Sequence, residues 1–96
     1  MSLRVVARIE AKPDKVEEVR ELLLALIEPT RREQGCVTYE LLQNREDPCD
    51  FTFVEEWACD SDLDAHAASD HLRTIGAKLS SVTSTRPDIR KYKLLA

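Results

Sequence analysis

Phe53-Val-Glu-Glu-Trp-Ala-Cys-Asp-Ser-Asp-Leu-Asp-Ala-His-Ala-Ala-Ser-Asp-His-Leu72 begins as a strand and ends as a helix. Alternation from Phe51 to Ala58 sets Phe51, Phe53, Glu55 and Trp57 on one face and Thr52, Val54, Glu56 and Ala58 on the other. Each face therefore carries a carboxylate. A lone buried carboxylate is costly, so Glu55 or Glu56 is expected to be paired, solvated or functional. Asp60 or Ser61 then caps a helix with Asp62 and Asp64 in its first turn, where the helix dipole favours negative charge. Ser69-Asp70 reads as a second cap, so the helix is expected to break and restart. The stretch holds the only Trp, both His and one of the three Cys.

Upstream, Cys36 to Gln43 alternates as a strand, with Val37, Tyr39 and Leu41 on one face. The polar loop from Asn44 to Asp50 joins it to the next strand as a hairpin. From Lys15 to Gln34 the period lengthens. Val16, Val19, Leu22, Leu23, Leu26 and Ile27 form one apolar stripe of a long helix. Asp14 is its expected N-cap, with Glu17 as capping-box partner. Pro29 should bend the helix near Leu26, since it removes one backbone donor and crowds the carbonyl four residues back. Gly35 suits the position just past the helix end. Leu3 to Ala11 alternates as the first strand. Downstream, Leu72, Ile75, Leu79 and Val82 continue a helical stripe, and Ile89 to Leu95 alternates as the last strand.

The order β-α-β-β-α-β predicts an α+β, ferredoxin-like fold: an antiparallel sheet with helices on one face. Residues 1–96 form a single domain. No third layer covers the other sheet face. Val37, Tyr39, Phe53 and Trp57 need cover from the helices or a partner, and a second copy of the chain is expected there.

Composition narrows the partners. A net charge of −4 argues against nucleic acid, which needs a basic field. No run approaches the ~20 apolar residues of a membrane span. The opening Met-Ser-Leu-Arg-Val-Val enters a strand pattern with no signal-peptide core. Three cysteines without a C-x-x-C motif fit free thiols in a reducing compartment. The expected location is cytoplasmic. With only Gly35 and Gly76, the chain has no phosphate-cradling loop for a flavin or nicotinamide, and no cofactor is expected. His66 and His71 stand at i, i+5, about 140° apart around a continuous helix. No metal site is expected unless the helix break draws them together.

Ala11-Lys-Pro-Asp-Lys15, Glu33-Gln-Gly-Cys36, Tyr39-Glu-Leu41, Glu55-Glu-Trp57, Leu63-Asp-Ala-His66 and Ser69-Asp-His-Leu72 occur in this order over nearly the whole chain. In this order and spacing the chain resembles the antibiotic biosynthesis monooxygenase domain of the dimeric α+β barrel superfamily. The resemblance implies a homodimer whose two sheets close a barrel, with a pocket between sheet and helices in each subunit. Members of that family include cofactor-free monooxygenases of quinols or polycyclic phenols, heme degraders, and an isomerase of a phosphorylated sugar. Heme degraders carry Asn, Trp and His where this chain has Ala7, His66 and Gly76, so heme degradation is not expected.

The implied function is a cofactor-independent monooxygenase oxidising a small quinol or phenol with O2. The alternatives are an isomerase of a small polar carbonyl compound and a non-catalytic ligand-binding dimer. Deprotonating a phenol needs a base and a dry cavity. His66 is the candidate catalytic base, because an imidazole titrates near neutral pH. Glu56 or Asp62 could orient its ring. Tyr39, Trp57, His71 and Glu56 are the candidate substrate-binding residues. The isomerase alternative would need cations at the pocket, with Arg8 and Arg86 available.

Overall fold

Period-two alternation is realised in β1 (Leu3–Glu10), where Val5, Ala7 and Ile9 are buried and Arg4, Val6 and Arg8 face the opposite side. The computed structural model describes residues 2–96. β2 (Cys36–Gln43), β3 (Asp50–Trp57) and β4 (Asp88–Tyr92) complete a sheet of order β2-β3-β1-β4, antiparallel throughout. All the helices pack on one face of it. The α+β, ferredoxin-like expectation therefore holds.

The long helical stretch is two helices, α1 (Val16–Leu24) and α2 (Ile27–Arg31). Pro29 has no N–H to give the carbonyl of Ala25, and the chain tightens there: the Leu26 N–H bonds back three residues, to Leu23. The break thus falls where the proline predicts. The expected cap does not. Asp14 lies inside a turn closed by the Lys15 N–H on the Lys12 carbonyl, 2.9 Å, so Lys15 takes the cap position without a side-chain bond. The second helical stretch divides into α3 (Asp60–Ala67) and α4 (Asp70–Leu79). Cys59, rather than Asp60 or Ser61, stands at the α3 cap position, and both of those residues lie in the first turn. Ser69 does cap α4, its Oγ accepting from the Leu72 N–H at 3.4 Å.

Two other expectations change. In β2 the register steps at Val37: Cys36 opposes Trp57 and Thr38 opposes Glu56. This bulge rotates Val37 out to 58% exposure while Tyr39 turns into the core. Val37 and Tyr39 therefore do not share a face. The last strand is also shorter than Ile89–Leu95, ending at Tyr92.

Tyr39, Phe53 and Trp57 lie under the chain's own helices rather than on the uncovered face. That face instead carries the paired Val6 and Val54, with Leu42 and Tyr92 further out. It also carries two ion pairs, Arg4–Glu56 at 3.5 Å and Arg8–Asp50 at 3.2 Å. Among the described residues no helix is long and apolar enough to cross a membrane. Cys36, Cys49 and Cys59 are free thiols.

Candidate functional site

Between the sheet and helices α1, α3 and α4 lies a cavity of about 290 Å³. Val5, Ala7, Ile9 and Phe53 line its sheet side, and Leu23, Leu26, Leu63, Leu72 and Leu79 its helix side. A dry apolar cavity of ~150 Å³ already takes benzene, so this volume admits an aromatic ring with substituents. Tyr39, Glu55, Asp64, His66 and Lys91 bring polar groups to the lining. Pro87, Ile89 and Lys91, all exposed, form its open edge along β4.

His66 occupies the last turn of α3 and is 5% exposed. Its Nδ1 lies 2.6 Å from Oε2 of Glu33, a residue just beyond α2. A carboxylate accepts, so in the neutral ring this contact places the proton on Nδ1 and leaves Nε2 with its lone pair. Trp57 backs the ring at a centroid distance of 4.8 Å, and Tyr39 meets it edge-on at 5.6 Å. The imidazole is therefore held on three sides.

His71 reaches the same carboxylate. Its Nε2 is 3.0 Å from Glu33 Oε2, with Thr30 Oγ1 at 3.3 Å and Ser69 Oγ at 3.4 Å. The break at Ser69 makes this meeting possible. Exposure rises along the row, from 6% for the His66 side chain to 17% for Glu33 and 23% for His71. His71 lies outside the cavity lining and connects to it through Glu33 and His66. The expectation of no metal site rested on the i, i+5 spacing, and that argument fails here: the ligating atoms of Glu33, His66 and His71 lie within 4.8 Å of one another. Two imidazoles and a carboxylate are donors that a zinc-type ion accepts. The 2.6 and 3.0 Å separations are hydrogen-bond lengths, so the three side chains bond one another directly here.

The other expected residues divide. Tyr39 lines the cavity, stacked on Phe53 at 4.8 Å, and burial pushes its hydroxyl pKa upward. Trp57 is fully buried behind His66 and is outside the lining. Glu56 points to the opposite sheet face, paired with Arg4, so it neither meets the cavity nor orients His66. Asp62 accepts from the Cys59 thiol at 3.1 Å and does not orient His66 either. Glu33 fills that role. Arg8 pairs with Asp50 on the outer face, and Arg86 lines separate surface depressions. Neither cation reaches the cavity.

Glu55 is the residue whose place on the strand signalled it. It sits between Phe53 and Trp57 on the buried face and is 7% exposed. Its Oε1 accepts the Trp57 indole N–H at 2.8 Å. Burial raises its pKa, opposed by that hydrogen bond and by the nearby His66.

A sheet with helices on one face, enclosing an apolar cavity with a carboxylate-held imidazole, defines the chain as a ligand-cavity member of the ferredoxin-like folds. Residues 2–78 match the model of the antibiotic biosynthesis monooxygenase family, and the chain belongs to that family. This membership places it among monooxygenase-like proteins. A crystal structure of a protein from Methanosarcina mazei Go1 is 39% identical and covers 97% of this chain and 92% of its own, with a TM-score of 0.91. Rv0793 of Mycobacterium tuberculosis, whose name gives it a provisional monooxygenase activity, is 35% identical over 86% of this chain and 80% of its own. The Synechocystis protein sll1783, uncharacterised, is 31% identical over 94% of this chain. The chain spans 61% of that relative's length.

Proposed function

We propose that this protein is a cytoplasmic, homodimeric, cofactor-independent monooxygenase that oxidises a small quinol or phenol with O2. The observation that supports the reading is the 2.6 Å bond from His66 Nδ1 to Glu33, on an imidazole that lines an apolar cavity; in the neutral ring Nε2 is then free to act as the base. Nε2 takes the hydroxyl proton of the bound substrate, and Glu33 stabilises the imidazolium that forms. The electron-rich anion then reduces O2. One oxygen atom enters the ring, the other leaves as water, and the substrate supplies all the electrons: hydroquinone plus O2 yields hydroxyquinone plus water. Leucines and Phe53 keep bulk water from the anion. An isomerase of a small polar carbonyl compound that is anionic would need cations in the cavity. Arg8 and Arg86 lie elsewhere, which favours the oxygenase.

Oxygen uptake across a panel of hydroquinones and phenols tests the proposal. Wild type should consume oxygen with at least one of them. His66→Ala should slow that turnover by ~10²–10⁴-fold, the usual range for losing a general base. Full activity in a folded His66→Ala variant would remove the base assignment. No uptake with any substrate would remove the oxygenase.

A further inference from the structure

We infer that Glu55 is the hydroxyl-binding group of the cavity and sets its ligand class: an uncharged, hydroxyl-bearing aromatic ring is accepted, and the matching aromatic carboxylate is rejected. The inference rests on the cavity being the substrate site proposed above, and it requires no turnover.

The strand pattern makes Glu55 conspicuous. Its neighbours on the inward face of β3 are Phe51, Phe53 and Trp57, and in register it lies between Val5 and Tyr39. An apolar side chain would fill such a place at less cost than a carboxyl. The carboxyl is also held in one orientation. Trp57 fixes Oε1, and among the described residues no donor meets Oε2. One rigid oxygen and one unpartnered oxygen on a side chain that lines a cavity make a half-built hydrogen-bonding site. A ligand hydroxyl completes it, donating to Oε2 of the carboxylate.

The charge around the cavity decides which ligands are refused. Glu55 and Asp64 both line it, and Glu33 stands behind His66. Lys91 is the only Lys or Arg in the lining, and it belongs to the exposed edge. Glu55 and Lys91 both oppose Val5 from either side of β1, which puts their backbones two strand spacings apart, about 10 Å. An anion inserted toward His66 therefore meets the Glu55 carboxyl group in a medium of low dielectric constant, while Lys91 stands at the far, open edge.

Calorimetric titration under argon at neutral pH, with hydroquinone and benzoate as probes, tests the inference. Wild type should bind hydroquinone at least ~10-fold more tightly than benzoate, a gap worth about 1.4 kcal/mol. Glu55→Gln keeps an acceptor for the Trp57 indole and removes the charge, and it should narrow the gap to within ~3-fold. Glu55→Leu should weaken hydroquinone by ~10-fold or more and leave toluene as tightly bound or tighter. An unchanged gap in a folded Glu55→Gln variant would overturn the inference, as would unchanged hydroquinone binding by Glu55→Leu or no binding of either probe by wild type. The oxygenase fails separately: the binding pattern without oxygen uptake would sink it and leave this inference standing.

Discussion

Glu33 carries the electrostatics of the site, and its role follows from two ring nitrogens meeting one oxygen atom. Replacing it by Gln keeps the size and removes the charge that stabilises a protonated His66. Glu33→Gln should therefore slow turnover by ~10–100-fold, the range seen when the carboxylate partner of a functional imidazole is lost. KM should change little, because Glu33 lies behind the ring. His71→Ala, which loses only a second donor to the same oxygen, should cost less than Glu33→Gln in the same assay. Glu55 supports a prediction about stability. Burial raises its folded pKa above the ordinary glutamate value, so the folded state holds this proton more tightly than the unfolded chain. The associated stability is fully present below the unfolded pKa and is lost as pH rises through the folded one. Glu55→Gln escapes that loss. Its melting temperature relative to wild type should climb with pH, reaching a gain of about 4–8 °C at alkaline pH if ~1 kcal/mol is involved. Parallel melting curves for the two proteins would sink the assignment. The two acids differ in how visible they are in the sequence. Glu55 is marked by its place in the strand period. Glu33 becomes significant only when a loop 33 residues from His66 folds against it.

Local chemistry announces the helix breaks but not every boundary. Pro29 and Ser69 act on their own turns, and both breaks fall where those residues predict. The cap expected at Asp14 fails because a competing turn bond, Lys15 to Lys12, delays the helix. The bulge at Val37 is invisible to an alternation argument, which counts residues and assumes one partner for each. The turn leading into β2 is the most constrained connection near the site. Gly35 has φ +82°, a Cβ there would fall 2.0 Å from Asp62 Oδ2, and the Gly35 carbonyl accepts the Ala58 N–H at 2.8 Å. Gly35→Ala should cost about 2 kcal/mol of stability, from left-handed backbone strain and displacement of Asp62. Because Glu33 is two residues away, the variant should also lose activity beyond what reduced stability explains. Chemical denaturation alongside assays well below the melting temperature separates the two losses. An unchanged denaturation midpoint would refute the strain argument.

On the scale of the molecule, the face opposite the helices presents Val6 and Val54 between two ion pairs, with Leu42 and Tyr92 exposed beside them. The homodimer proposed above would cover these apolar side chains. Sedimentation at micromolar concentration should give a dimer, and Val54→Arg should shift it toward monomer. A wild type that stays monomeric at every concentration would exclude the barrel. The fold was readable because its strand and helix periods are long and distinct. Cover for Tyr39, Phe53 and Trp57 was left open between the helices and a partner, because alternation separates two faces without saying which one the helices take; the helices cover all three. The same buried Trp57 has a spectroscopic consequence. It is the only indole in 96 residues, its N–H is bound to Glu55, and its ring stands 4.8 Å from His66. Light emitted on excitation at the red edge of the absorption band therefore comes from one place, and a ligand that displaces Glu55 or His66 should be read there without a label.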